Sequence, residues 1–381
     1  LRVYLDYGGL APVDPRVLAV MRPFLEGGVG NPAAAHSFGV EAREALDGSR
    51  AKIARLVAAS PAGVIFTASA TEANNLAVRG AAQHAPGRHL VTSAIEHASV
   101  LHACRDLERR GHPVSYVGVD ADGRLDPGAV AHALRPDTLL VSVAAANGEI
   151  GTVQAIREIG RLTRRHGVWL HVDGVGAVGR IPLLVDECGI DLLSLSANDM
   201  YGPPGAGALW VRAGVRIGAQ LLGGSQEGGI RAGTENLPAI AGMGVAADLM
   251  RAEGPAEVAR LSALRDRLLR GILDRVGDTR ITGPRPGHRL PHHASLIVSG
   301  VSADRLLREL DAQGVAAATG SSCASATGEP SAVLLAIGCD RRAAAGAICF
   351  SLGRWTTSDE IDYVVDIVPG AVERIRRLGL A

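Results

Sequence analysis

Between about residues 45 and 212 short, nearly continuous apolar runs alternate with amphipathic stretches. Runs at 64–67, 89–95, 114–119, 138–145, 168–173, 191–196 and 207–211 predict seven strands, and 41–58 and 100–111 carry helical spacing between them. Apolar strands separated by helices predict a mostly parallel sheet covered on both faces. Ligands in such sheets sit beyond the carboxyl ends of the strands. That places residues 67–71, Glu96 with His97, Asn147 with Gly148, Asp173, and 196–199 around one crevice. After Ala239 the texture changes. A helical pattern over 246–276 leads to a strand at 295–299 and a helix at 303–313. The last helix opens on Thr357, Ser358, Asp359 and Glu360, a capping box. Its stripe of Ile361, Val364, Val365 and Val368 predicts core packing.

A chain of 381 residues, 47% of them hydrophobic, can bury a large core and is long enough for two domains. Lysine plus arginine balances aspartate plus glutamate at 39 each, so no basic field exists for nucleic acid. The apolar stretch at 139–146 is far short of a membrane span, and the opening residues are too short for a signal peptide. Five cysteines (104, 188, 323, 339 and 349) are scattered without Cys-x-x-Cys spacing. They predict a reduced, cytoplasmic setting with neither a disulfide framework nor a zinc finger. His288, His292 and His293 could imitate a metal cluster, but a turn rich in arginine and proline before a strand explains them better. The chain has one lysine, Lys52.

Two segments carry more specific information. Thr67-Ala-Ser-Ala-Thr-Glu-Ala-Asn-Asn leads from a strand into a helix through small residues, so free N–H groups and the helix dipole favour an anion. The second reads Trp-Leu-His-Val-Asp-Gly from 169, then Leu-Leu-Ser-Leu-Ser-Ala-Asn-Asp-Met-Tyr-Gly-Pro from 192. With these motifs, and from Tyr4-Leu-Asp-Tyr to Gly353-Arg-Trp-Thr-Thr, the chain resembles the cysteine desulfurases of NifS/IscS type, of class V aminotransferase fold.

The resemblance implies an α/β, fold type I architecture of the pyridoxal-phosphate-dependent transferases, with a seven-stranded sheet in a large domain. It divides the chain into an N-terminal segment (1–15) packing with the small domain, a large domain (16–245) and a smaller α+β C-terminal domain (246–381). It implies a cofactor phosphate at Ala70 and Thr71, with Ser196 and Asn198 beside it and Thr234 reaching across a homodimer interface. His97 matches the histidine stacked on the cofactor ring, and Asp173 the aspartate paired with the ring nitrogen.

Four positions depart from the family pattern. Asp199 stands where the family has its imine-forming lysine, and a carboxylate offers no amine. Gly148 stands for an asparagine near the ring, Gly176 for the glutamine bonded to the ring hydroxyl, and Cys349 for the arginine that clamps the substrate carboxylate. A minority branch of the family carries a similar Asn-Asp pair. Against these losses, Cys323 in Ala-Thr-Gly-Ser-Ser-Cys-Ala-Ser-Ala-Thr-Gly matches the mobile loop bearing the desulfurase nucleophile. A thiolate there can hold a persulfide or ligate iron of a shared cluster.

The expected function is therefore a desulfurase-like protein of iron–sulfur cluster assembly. It would hold pyridoxal phosphate non-covalently at best and offer Cys323 to an IscU-like scaffold protein. Two alternatives stay open: an active desulfurase with non-covalently held cofactor, and a non-catalytic structural or regulatory subunit.

Overall fold

The structure is a computed structural model describing residues 1–27, 30–319 and 330–379. Its centre is a seven-stranded sheet of β2 (Val64–Thr67), β3 (His89–Ser93), β4 (Val114–Val117), β5 (Thr138–Ala144), β6 (Trp169–Asp173), β7 (Leu192–Ser196) and β8 (Gly207–Val211). The spatial order is β2-β8-β7-β6-β5-β3-β4. Only β8 runs against its neighbours; the other contacts are parallel. The mostly parallel α/β architecture expected from the alternation is what the chain forms. β3 and β4 each stop two residues sooner than the apolar pattern predicts. In β3 the reason is local: Ser93 Oγ donates to Glu96 and accepts from the Ile95 N–H, closing a turn.

Central strands are buried on both faces, so their polar side chains need partners. His171 lies between Ser142 Oγ (2.8 Å) and Ser194 Oγ (2.9 Å), linking β5, β6 and β7 side by side. Burial pushes its imidazole down to about 3, which keeps this rail neutral.

Helices α1 (Pro15–Glu26), α2 (Ser37–Leu56), α3 (Ala70–His84), α4 (Ala98–Arg109), α5 (Pro127–Ala133) and α6 (Ile156–Arg165) accompany the sheet. α7 (Leu237–Arg275) is 39 residues long and starts nine residues before its predicted onset, capped by the Asn236 side chain. Its first half buries Ala239, Ile240, Met243, Ala246, Ala247 and Met250 in the core of the sheet. Its second half buries Leu261, Leu268, Leu269 and Ile272 in a second core.

α9 (Ala332–Ala336) and α10 (Arg341–Ala344) bury Leu334 and Ala344 in a small separate cluster with Ile150 and Ile297, whereas the second core is built on α8 (Ala303–Ala312), α11 (Ser358–Arg377) and the antiparallel sheet β12-β10-β9 (Ala347–Ser351, His293–Val298, Thr279–Ile281). The N-terminal strand β1 (Val3–Tyr4) pairs in parallel with β11 (Val315–Ala316) and sends Val3 and Leu5 into it. The capping box at Thr357 and Glu360 is present, and Ile361, Val364, Val365 and Val368 are all buried.

One polar node ties these parts together. Arg354 pairs with Asp14 (2.6 Å), Glu257 (3.0 Å) and Glu253 (3.3 Å). Its guanidinium lies 4.5 Å from the Tyr201 ring centroid, and the Tyr201 hydroxyl donates to Glu257 at 2.5 Å.

Candidate active site

The carboxyl ends of β6 and β7 and the N-termini of α3 and α4 meet at one crevice. Asp173 ends β6 and is buried. Its Oδ2 accepts from Asn74 Nδ2 on α3 (2.7 Å) and its Oδ1 from the Val175 N–H (3.0 Å). The same amide donates to Ser99 Oγ (2.9 Å), which lies 2.7 Å from His97 Nδ1. The Ser99 N–H also points at that nitrogen (3.2 Å), so Nδ1 is the acceptor. Asp173, Asn74, Ser99 and His97 thus form one chain. Burial raises the Asp173 carboxyl, opposed by hydrogen bonds from Val175 and Asn74.

Asn74 and Ser99 carry no role in the sequence reading. Their only advance signal is an asparagine pair, 74 and 75, inside a helix that neither residue favours.

Ala70 and Thr71 open α3, where first-turn N–H groups lack intrahelical partners. Ser69 Oγ caps the Glu72 N–H at 3.2 Å. The Glu72 carboxylate takes the Ala68 N–H (2.7 Å) and pairs with Arg231 (2.8 Å), holding the 231–234 stretch against this helix end. Thr234 is exposed there. Across the crevice Ser196 Oγ donates to Asn198 Oδ1, and Asn198 Nδ2 donates to Asp199 Oδ2 at 3.2 Å.

Asp199 is buried, 8% exposed. Burial raises its carboxyl, the nearby Arg180 charge and a Ser196 hydrogen bond pull it down, and Asp173 pushes it up again. No amine stands in for it: Lys52 lies on α2, 3.8 Å from Asp248 on α7.

Two of the other departures, Cys349 and Gly148, are physically connected. Cys349 on β12 is buried with its Sγ 3.1 Å from His293 Nε2, and the Gly148 carbonyl is 2.9 Å from the same nitrogen. Arg289 Nη1 sits 3.3 Å from Nδ1 and can only donate, so Nε2 bears the proton and gives it to Gly148. Burial drives the thiol up to about 12 and the imidazole down to about 3, leaving both neutral. His293 is therefore the first residue of a buried strand, not part of the turn the sequence suggests. Among the described residues no group of three His, Cys, Asp or Glu side chains could hold a metal ion.

The two glycines differ. A Cβ on Gly148 would meet nothing within 4 Å, whereas Gly176 has φ +73°, a left-handed conformation costly for a glutamine. Cys323 lies outside the described residues.

Glu96, beside His97, is buried with Oε2 unpartnered and Ser93 Oγ donating to Oε1 at 2.5 Å. Burial raises it from 4.5 to about 8. The folded chain thus keeps a proton that the unfolded chain releases, so this group removes stability as pH rises from about 4.5 to about 8. Glu96→Gln, which copies the protonated form, should match the parent in urea denaturation below that window. Above it, the variant should be more stable by roughly 2–4 kcal/mol.

A sequence profile of the family described as "Aminotransferase class-V" matches residues 3–364. The chain belongs to the class V aminotransferase family. Within this family it is 42% identical to "Cysteine desulfurase IscS" of Dictyoglomus turgidum over 378 residues, 99% of this chain and 96% of the relative. It is 46% identical to "Cysteine desulfurase IscS" of an Anaeromyxobacter species over 381 residues, 99% of this chain and 93% of the relative. A solved structure described as a NifS-like protein superposes with a TM-score of 0.92 at 32% identity, covering 98% of this chain and all of the other. Class V desulfurases are pyridoxal-phosphate-dependent, the fold type I class to which this architecture belongs. Among the described residues no helix is long and apolar enough to cross a membrane.

Proposed function

We propose that this chain is a desulfurase-family protein of iron–sulfur cluster assembly that has given up imine chemistry. It acts as a homodimer in a reduced cytoplasm, with Thr234 serving the partner's phosphate site. It offers Cys323 to a scaffold protein as persulfide acceptor or cluster ligand. The observation that carries the reading is the buried carboxylate of Asp199 at the family's lysine position, with Lys52 engaged elsewhere on α2. These residues do not fit a covalently tethered pyridoxal phosphate. A carboxylate supplies no nucleophilic nitrogen, and Gly176 and Cys349 supply neither the ring contact nor the substrate clamp the family uses.

The deciding experiment incubates purified protein with L-cysteine and pyridoxal phosphate and measures alanine. No release above the blank is expected, while cluster assembly on a scaffold from iron and inorganic sulfide should proceed and be lost in Cys323→Ser. Steady alanine formation would remove the reading. It would favour the second one, an active desulfurase with non-covalently held cofactor, which the intact chain of Asp173, Asn74, Ser99 and His97 supports. Unchanged assembly in Cys323→Ser would instead favour a structural or regulatory subunit.

A further inference from the structure

The edge of the sheet opposite the crevice carries a charged cleft that the proposed function does not use. α6 ends just before β6, and residues 187–189 come just before β7, so the space between them lies at the amino ends of the parallel strands. That cleft has a volume of about 390 Å³ and is lined by Gly160, Arg161, Arg164, Arg165, Glu187 and Gly189. Helix and turn approach each other there through backbone. A Cβ on Gly160 would lie 1.9 Å from the Cys188 carbonyl oxygen, and Gly189 has φ +65°, so neither wall carries a side chain to fill the gap.

The charges around the cleft do not balance. Glu187, the one carboxylate lining it, is taken by Arg157 at 2.6 Å, and Asp186 and Asp191 are taken by Arg212 at 2.7 and 3.2 Å. Arg161, Arg164 and Arg165 are exposed, and among the described residues none of the three makes an ion pair. Arg164 attracts Asp191 only from a distance. Cations in a last helical turn offset the helix dipole, which accounts for Arg164 and Arg165 but not for Arg161 a turn earlier. Guanidinium forks match the oxygens of phosphate and carboxylate. We propose that this cleft binds a compact polyanion, a small molecule with several closely spaced phosphate or carboxylate groups, gripped by Arg161, Arg164 and Arg165 together. A space of this size suits a small molecule. No aromatic side chain lines it, so it offers no platform on which a nucleic-acid base could stack. Its occupant sits across the sheet from the crevice and leaves that site open, so the inference stands whether or not an imine forms there.

The test is isothermal titration of the full-length protein at low salt with two probes, tripolyphosphate and citrate. At least one should bind saturably, with an affinity that falls as salt is added, and the tighter of the two names the chemistry. Arg161→Gln combined with Arg165→Gln puts another good helix former at two exposed positions. It should weaken that binding at least about tenfold, the size of one charge-assisted hydrogen bond, or abolish one site. Arg305→Gln combined with Arg308→Gln removes the same charge from exposed positions on α8 and should leave the affinity within about twofold. No saturable binding of either probe, an equal loss in the two double variants, or binding untouched by the change at 161 and 165 would overturn the inference. None of these results bears on alanine release from L-cysteine, so this inference and the proposed function fail separately.

Discussion

Asp199→Lys is expected to give a protein that binds pyridoxal phosphate covalently, visible as an absorbance band that borohydride reduction fixes to the chain. Three features favour capture. The acceptor chain to Asp173 is intact, the helix end at Ala70 and Thr71 is in place, and the substitution exchanges repulsion between residues 199 and 173 for attraction. Desulfuration of L-cysteine should nevertheless stay about ten- to a hundredfold below that of a relative with an arginine at 349, because the charge-assisted clamp is missing. Nor is the clamp recovered by Cys349→Arg alone. Arg289 is already a buried cation in that cluster, held down to about 10 by burial, and a second guanidinium beside it meets like charge. Alanine release by the single and double variants checks this. Full turnover in Asp199→Lys would show that residues 148, 176 and 349 do not matter as argued.

The largest effect on stability is expected at Arg354. Arg354→Ala removes the cation between Asp14, Glu253 and Glu257 while leaving the carboxylates in place. Breaking a buried pair in this way costs about 3–5 kcal/mol. The lower end applies here, because Arg16 still pairs with Asp14 at 2.8 Å and Tyr201 still donates to Glu257. The effect carries a pH signature. Arg16 foremost, then Arg354, holds the Asp14 carboxyl well below its ordinary 3.8, and Glu253 is lowered as well. Groups lowered on folding contribute stability above their unfolded pKa and lose it as pH falls through the folded value. The penalty of Arg354→Ala, read from urea midpoints, should therefore be full at neutral pH and shrink in acid. A penalty that does not vary with pH would mean the side chain acts by packing on Tyr201 rather than by charge.

Much of the fold was legible because the apolar runs of the central sheet are buried on both faces, leaving no second period to confuse them. Val64–Thr67 and Gly207–Val211 form as the pattern predicts. The onset of α7 was missed because Leu237–Ala246 is apolar all round, buried by the core of the sheet, and so carries no helical stripe to count. α1 escaped for another reason: its signature is short, Asp14 accepting from the Arg16 N–H with Pro15 as the first helical residue.

The site was half legible. Titratable residues in the segments after strands, such as Asp173 and His97, draw notice in the sequence, and the fold joins these two through Asn74 and Ser99. Those that work by orienting others draw none. Asn74 and Ser99 look ordinary in one dimension, His293 suggests only a turn, and only the fold brings His293 between Gly148 and Cys349.

The contrast between Gly148 and Gly176 gives the crevice a direction in time. At 148 the backbone leaves room, so a side chain can be lost or regained without moving the chain around it. At 176 the chain has settled into φ +73°, and any other residue must first persuade the turn to rearrange. Drift toward the present sequence and drift away from it are not mirror images: one step is a swinging door, the other a ratchet.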